Sequence, residues 1–458
     1  QSLTEAQKQA LIEAAWALAK YPEPKDNGGQ FRVLVLNIGE STGSSNISNL
    51  GDIVITQQTG IFTAEEIFSR YGDVSITGPE ITGVDGKTNV TGEDISLTAT
   101  TGSITGLNVE ERSWDLTTIG NIIDEDKKNQ AYGQTGSKSW ILVRNAQTGQ
   151  IEMQFAIDYT AVRDLNIENA TSITASAAGD IEINEVTGNM GINVIEAGGR
   201  VTLTVPGSIY DVQADNETRE NIITNSDAVI TAGGSVGTNQ KYLAANVDGT
   251  IQVTAGGDIN ITDSGSLTLV ADSSNGQVNV NAANDLNLSN TTGNLVIGTI
   301  NAGGKAVIVS VAGIIAGNKL NKDVHIKAQT IDLTAQNGSI GTAEAPIDID
   351  TAAENGGTLS AKATNGAINI RERNGDLIIE LVRSEGNGTV NISAAGGIQI
   401  GTVTSTGGGD VTLIAENGNI TEKDTSDYLA AATEAKLKAI QARSAANYTA
   451  ELRCQYSS

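Results

Sequence analysis

From Gly249 to Val280 the chain reads GTIQVTAGGDINITDSGSLTLVADSSNGQVNV. Four times in succession a Gly and one polar residue precede an apolar, polar, apolar triplet: Ile251 and Val253, Ile259 and Ile261, Leu267 and Leu269, Val278 and Val280. An alternation of period two puts the aliphatic residues on one face of a strand and the polar ones on the other. Glycines at 249, 257, 265 and 276 limit each strand to about five residues and close it with a Gly/Asn/Asp/Ser corner. A strand that short cannot bury its apolar face alone. It can if the chain coils and successive turns stack, each strand pairing in parallel with its counterpart one coil away. The expected fold class is therefore all-β, a parallel β-helix solenoid, with Ile259 and Ile261 inside. Asn260 is expected outside, where Asn260→Asp would cost less than about 0.5 kcal/mol.

Composition agrees with a narrow interior. Hydrophobic residues make up 39% of the 458 residues but aromatic ones only 3%, so the core is expected to consist of Ile, Val, Leu and Ala. At about 20 residues and about 4.8 Å per coil, the patterned residues predict about 15 coils and a rod about 70 Å long.

Along the chain, Ser2 and Glu5 form a capping box, and Leu3, Leu11, Ile12, Ala15, Trp16 and Ala19 fall at helical spacing up to Tyr21-Pro22. Residues 1–30 are expected to be an N-terminal capping helix, and a chain that starts at Gln1 to be cut from a longer precursor. The first coils follow over 31–106, with Thr63-Ala64-Glu65-Glu66 predicting a short helix near 63–70. The pattern breaks over 107–165, where SWILVRNAQTGQIEMQFAI predicts a lateral hairpin turning at the QTG triplet. Coil resumes over 166–424 and contains a longer repeat: GSVGT at Gly234–Thr238 returns as GSIGT at Gly338–Thr342, an offset of 338 − 234 = 104, which predicts a duplicated five-coil block. Residues 425–458, rich in Ala, are expected to form a C-terminal helix.

Function classes narrow by elimination. Lys plus Arg number 28 against 54 Asp plus Glu, a net charge of −26 whose field repels phosphate backbones, so nucleic acid is not an expected partner. No apolar run is long enough to span a bilayer. The lone Cys454 has no intramolecular partner. The one histidine, His325 in DVHIKA, is expected to point outward as an ordinary strand residue, so triads and histidine metal clusters are not expected and neither is a cofactor. Asp residues that follow Gly, at 52, 73, 180, 258, 376 and 410, are read as hydrogen-bonding corners rather than calcium ligands, and Asp124, Glu125 and Asp126 as a solvated loop. Binding is expected in the insertion, through Trp114, Trp140, Arg144 and Tyr159, because a regular coil exposes mostly Thr, Asn, Ser and Asp while hot spots favour Trp, Tyr and Arg. Pinning of the hairpin to the rod by the same rings is the other reading. A carbohydrate-active enzyme would need paired acids there, drawn from Asp115, Asp124, Glu152 and Asp158. Sequons at Asn46, Asn89, Asn216, Asn387 and Asn447 are read as chance matches.

With its GSIGT blocks, GDINIT and GDVTLIA strands and GSLTL, the chain resembles the filamentous haemagglutinin-like bacterial exoproteins, including the leukotoxin-type filamentous adhesins, over roughly 165–421 and more loosely 50–106. The resemblance implies a right-handed β-helical shaft, secretion, display on the cell surface and adhesion. Its implied partner is a host-cell or matrix glycan or protein receptor; the helices expected at both ends, where the family's coil would continue, make neighbouring copies of the chain in an end-to-end filament the alternative.

Overall fold

The computed structural model describes residues 33–40, 44–84, 87–106, 112–115, 136–144, 151–159, 165–168, 171–214, 219–319, 324–352 and 355–423. They wind into a parallel β-solenoid of about 15 turns. Each turn lays one strand, or two short pieces of one, into each of two 18-stranded sheets. Stacking is residue on residue: Ile259 pairs with Val278 and Ile261 with Val280, while Ile251 pairs with Leu269 in the other sheet. All eight aliphatic residues of the four triplets are buried, facing the opposite sheet across one continuous core.

The corners show why Gly and Asp recur together. Asp180 Oδ1 accepts the N–H of Arg200 one coil on at 2.8 Å, Asp258 that of Gln277 at 2.9 Å, Asp285 that of Lys305 at 2.7 Å, and Asp376 that of Gly397 at 2.6 Å. Ser208 and Ser235 hydroxyls serve the same purpose for Ser235 and Asp258. The receiving corner has no room for a side chain: a Cβ on Gly199 would lie 2.1 Å from Asp180 Oδ1, and one on Gly304 2.2 Å from Asp285 Oδ1. Glycine in one coil thus makes space for the carboxylate of the coil before it.

The duplicated block is visible as repeated geometry. Val236 bridges Ile209 and Ile259, and Ile340 bridges Ile314 and Ile368 in the same way. Gly237 and Gly341 both have positive φ, and their N–H groups donate to Ile209 O and Ile314 O.

Three expectations need correction. Residues 63–70 are not a helix: 63–69 belong to the strand Ile61–Ser69 and Arg70 follows its end. Phe62 and Ala64 point inward, then Ile67 and Ser69 do, because a bulge against Ser45 and Asn46 leaves Glu65 as the extra residue and switches the parity. That switch hid the alternation. Capping-box chemistry lost to Phe62 and Ile67 filling the core beside Ile81 and Val90.

Second, Asn260 is not exposed; it is 1% accessible although it faces away from the core. In the coil before it the strand is broken after Val236, and the Asn260 amide closes the break by donating to Val236 O and Gly237 O at 3.3 Å each. Third, His325 is buried at 5% accessibility, between Val324 and Ile326, because it ends a loop rather than sitting within a strand. No α-helix occurs among the described residues, and the helices expected at 1–30 and 425–458 lie outside them.

Candidate functional site

The insertion leaves the fourth coil in the middle of a rung and returns to the same rung. Gly106, before it, pairs with Gly83, and Ile167, after it, pairs with Val90. In the coil below, residues 84–89 make a much shorter excursion at the same place. A column of amides seals the gap. Asn89, wholly buried, accepts the Asn166 N–H on Oδ1 at 3.0 Å and donates to Val84 O and Ala64 O. Asn166 donates to Lys87 O, and Asn184 donates to Asn166 Oδ1 at 2.8 Å. Each amide here is satisfied, as burial requires. Beside the column, Lys87 pairs with Glu65, and hydrogen bonds from Lys87 and Ser44 hold that carboxyl below its ordinary range. The buried Asn89 sequon has no exposed amide to modify.

Inside the insertion, Arg112–Asp115, Gly136–Arg144 and Ile151–Tyr159 form one three-stranded antiparallel sheet. The hairpin pairing joins Gly136 to Tyr159 and Arg144 to Ile151. The third strand was not read from the sequence; its four residues, RSWD, are too few for an alternation to register. The register gathers the four candidate binding residues. Trp114 and Trp140 are both partners of Phe155, from its two sides, while Tyr159 and Arg144 stand at even spacing from Phe155 and Trp140. All four therefore belong to one alternation class of the sheet, together with Leu142, Ile151, Met153 and Ile157. Asp115, Glu152 and Asp158 belong to the other class, and Asp124 lies outside the described residues.

The second concentration of polar chemistry is on the shaft. A groove of about 970 Å³ is lined by Asn239, Ser274, Asn275, Gln277 and Asn318, with Asp258 as the one lining carboxylate. Gln277 acts there as a piece of strand, accepting the Asn318 N–H at 2.8 Å and donating to Asn318 O at 3.0 Å. Asp258 is engaged by the Gln277 N–H, so the groove offers no converging pair of acids.

A few coils further on, Asp348 is 1% accessible and ion-paired with Lys319 and with Arg371, whose Nε is 2.6 Å away. Burial alone would raise the Asp348 carboxyl, but hydrogen bonds from Arg371 and Lys319 outweigh it and hold the group below its usual value. The Asp348 backbone N–H donates to His325 Nδ1 at 3.0 Å, and His325 Nε2 donates to Gly317 O at 3.2 Å. The imidazole is thus neutral and carries its proton on Nε2. Burial pushes its pKa down. Sequence reasoning missed this cluster because strand alternation was extended across a loop end.

No group of three or more His, Cys, Asp or Glu residues arranged to hold a metal ion occurs among the described residues, and no described helix is long and apolar enough to cross a membrane. No protein-family model, no curated protein and no solved structure matches this chain.

Proposed function

We propose that the chain is the shaft of a secreted bacterial surface exoprotein of the filamentous haemagglutinin-like kind, that it is not an enzyme, and that it attaches to a host-cell or matrix receptor through its insertion. What supports this reading above all is the contrast between the coil and the insertion. The solenoid repeats one rung with polar outer rows, while the one long excursion collects Trp114, Trp140, Arg144 and Tyr159 in a single alternation class of a separate sheet. Trp, Tyr and Arg gathered in one alternation class are the composition of an interaction hot spot, and a stiff rod is a means of holding such a sheet away from a surface. A right-handed coil and helices at 1–30 and 425–458 that cover the ends of the core complete the picture.

A second reading, an end-to-end filament, has one specific observation in its favour. In the last described coil Val411 is 44% and Ile420 47% accessible, although their register partners Val390 and Ile398 are fully buried, and among the described residues the strands Val411–Ala415 and Ile420–Glu422 pair on one side only. An open rung of this kind is a template for another strand.

The test replaces Trp114, Trp140 and Tyr159 together by Ala. Adhesion to cells or to a glycan and matrix-protein array should fall at least tenfold while the melting temperature of the shaft is unchanged. Unchanged attachment in a folded triple variant removes the insertion as the binding face. Rods that lengthen with concentration in negative-stain images, and attachment that depends on length, would favour the filament. Glycan cleavage by the wild type would overturn the non-enzymatic reading.

A further inference from the structure

Three loops of the solenoid end on a buried side chain that does the same work. At the end of 84–89, the Asn89 N–H donates to Asn166 O and its Oδ1 accepts the Asn166 N–H. At the end of 212–221, the Asn221 N–H donates to Ala244 O at 2.8 Å and its Oδ1 accepts the Ala244 N–H at 2.9 Å. At the end of 317–325, the His325 N–H donates to Asp348 O at 2.8 Å and its Nδ1 accepts the Asp348 N–H at 3.0 Å. Asn221 and His325 are equivalent positions of the duplicated block, since 325 − 221 and 348 − 244 both equal 104, the offset of the sequence repeat. In each case the side-chain acceptor and the residue's own N–H together grip both backbone groups of one residue in the next coil. The remaining donor ties the loop back to its start: Asn89 to Val84 O, Asn221 to Asp211 Oδ1, His325 Nε2 to Gly317 O.

An amide can hold this grip at any pH; an imidazole can hold it only while Nδ1 is unprotonated. We infer that His325 is an acid-operated clasp: protonation at Nδ1 turns the acceptor into a donor facing the Asp348 N–H, frees Asp348 from its grip and parts His325 from the next coil. The corresponding clasp of the first block, Asn221, stays shut. Charges around the ring are Asp348, which favours the protonated form, and Lys319 and Arg371, which oppose it. The coil beneath, Leu295–Ala302, contributes no titratable side chain, and Lys322 and Asp323 of the same loop lie outside the described residues. A neutral imidazole buried in the fold stabilises it above its ordinary value of 6.5, and that contribution is lost as pH falls below 6.5 toward the lower value of the folded state.

The chain holds one histidine, so its titration is read without assignment. In protein labelled with ¹⁵N-histidine, the ring should show the Nε2–H tautomer at pH 7.5 and a midpoint below 6.5; the Nδ1–H tautomer, or a midpoint at or above 6.5, overturns the clasp. Hydrogen exchange read by mass spectrometry gives the structural consequence. Between pH 6.5 and 5.5, the protection of residues 347–351 relative to the His325→Asn variant should fall by up to about fivefold, since the opened imidazole is half protonated at pH 6.5 and almost fully so at pH 5.5. Residues 243–247 should show no such fall. His325→Asn copies the side chain that the first block uses at the same position, so it is expected to fold. Asn221→His should transfer the pH dependence to 243–247. Equal pH dependence of 347–351 in wild type and His325→Asn, or no gain in Asn221→His, refutes the proposal. Glu372 meets the far end of the same strand at Thr351, but it is common to wild type and His325→Asn and drops out of their ratio.

Discussion

Glu372 ends the strand Ile368–Glu372 with its side chain in the interior, where the next coil carries its register partner Ala394. It is 1% accessible. Thr351 donates to Oε2 from both its N–H and its hydroxyl, at 2.9 Å each, and the Asn374 N–H donates to Oε1 at 3.1 Å. These bonds favour the carboxylate, but burial outweighs them, and the pKa rises from 4.5 to about 7. A carboxyl raised in the fold stabilises it at acid pH, and the contribution is lost as pH rises through about 7. At 1.36 kcal/mol for each step of one in pKa, the whole effect is about 3 kcal/mol. Between pH 5 and pH 8 about 2.5 kcal/mol of it is realised, because the unfolded group is still mostly ionised at pH 5. Glu372→Gln removes the titration and gives up one acceptor, a loss of about 1 kcal/mol at every pH. Urea denaturation of both proteins at the two pH values, compared as a difference, should therefore find wild type the more stable at pH 5 and Glu372→Gln the more stable at pH 8. A difference constant to within about 0.5 kcal/mol would show that the group is not held as described.

Two further outcomes follow from burial and backbone geometry. Asn260→Asp should destabilise by about 2 to 4 kcal/mol, close to Ile261→Asp and far above a surface change, since it removes the donor to Val236 O and Gly237 O and puts a charge in their place; a loss under 0.5 kcal/mol in thermal or urea unfolding would restore the exposed reading. Gly256→Ala would put a Cβ 2.0 Å from Gly233 O and is expected to cost about 3 kcal/mol or more, whereas Gly188→Ala, with φ of 73° and nothing within 4 Å, should cost about 1 kcal/mol. Equal melting temperatures for the two glycine variants would contradict the corner packing.

The solenoid was legible because its rule is local. Period-two alternation and a corner glycine every coil place Ile259, Ile261, Leu267 and Val278 without knowledge of any partner, since the partner is the same rule one coil on. Asp180, Asp258 and Asp376 were legible as corner residues for the same reason. What escaped was set by the neighbouring coil. Glu65 is a bulge only because Ser45 and Asn46 leave no place for it, and Asn260 is buried only because the rung before it is broken. His325 reads as a strand residue in DVHIKA until the loop from Gly317 is seen to end on it. The insertion is an intermediate case: its hairpin was visible through QTG, but the pairing of Trp114 with Phe155 joins segments about forty residues apart, and no local pattern carries that information.

Side-chain amides that mend a broken rung also decide where this rod can grow. Asn89 and Asn221 each complete the ladder across a gap without regard to how much chain lies in it, and the rung that meets Asn89 holds the whole excursion from 107 to 164. The cost of closing a loop rises only with the logarithm of its length, so a mended gap tolerates long inserts nearly as well as short ones. The rod therefore has ready-made graft points. A foreign domain spliced into 84–89 or 212–221 should be carried at a fixed height on an unbroken shaft, and the same splice in the middle of Ile259–Asp263, where no amide waits to take over the ladder, should split the rod in two.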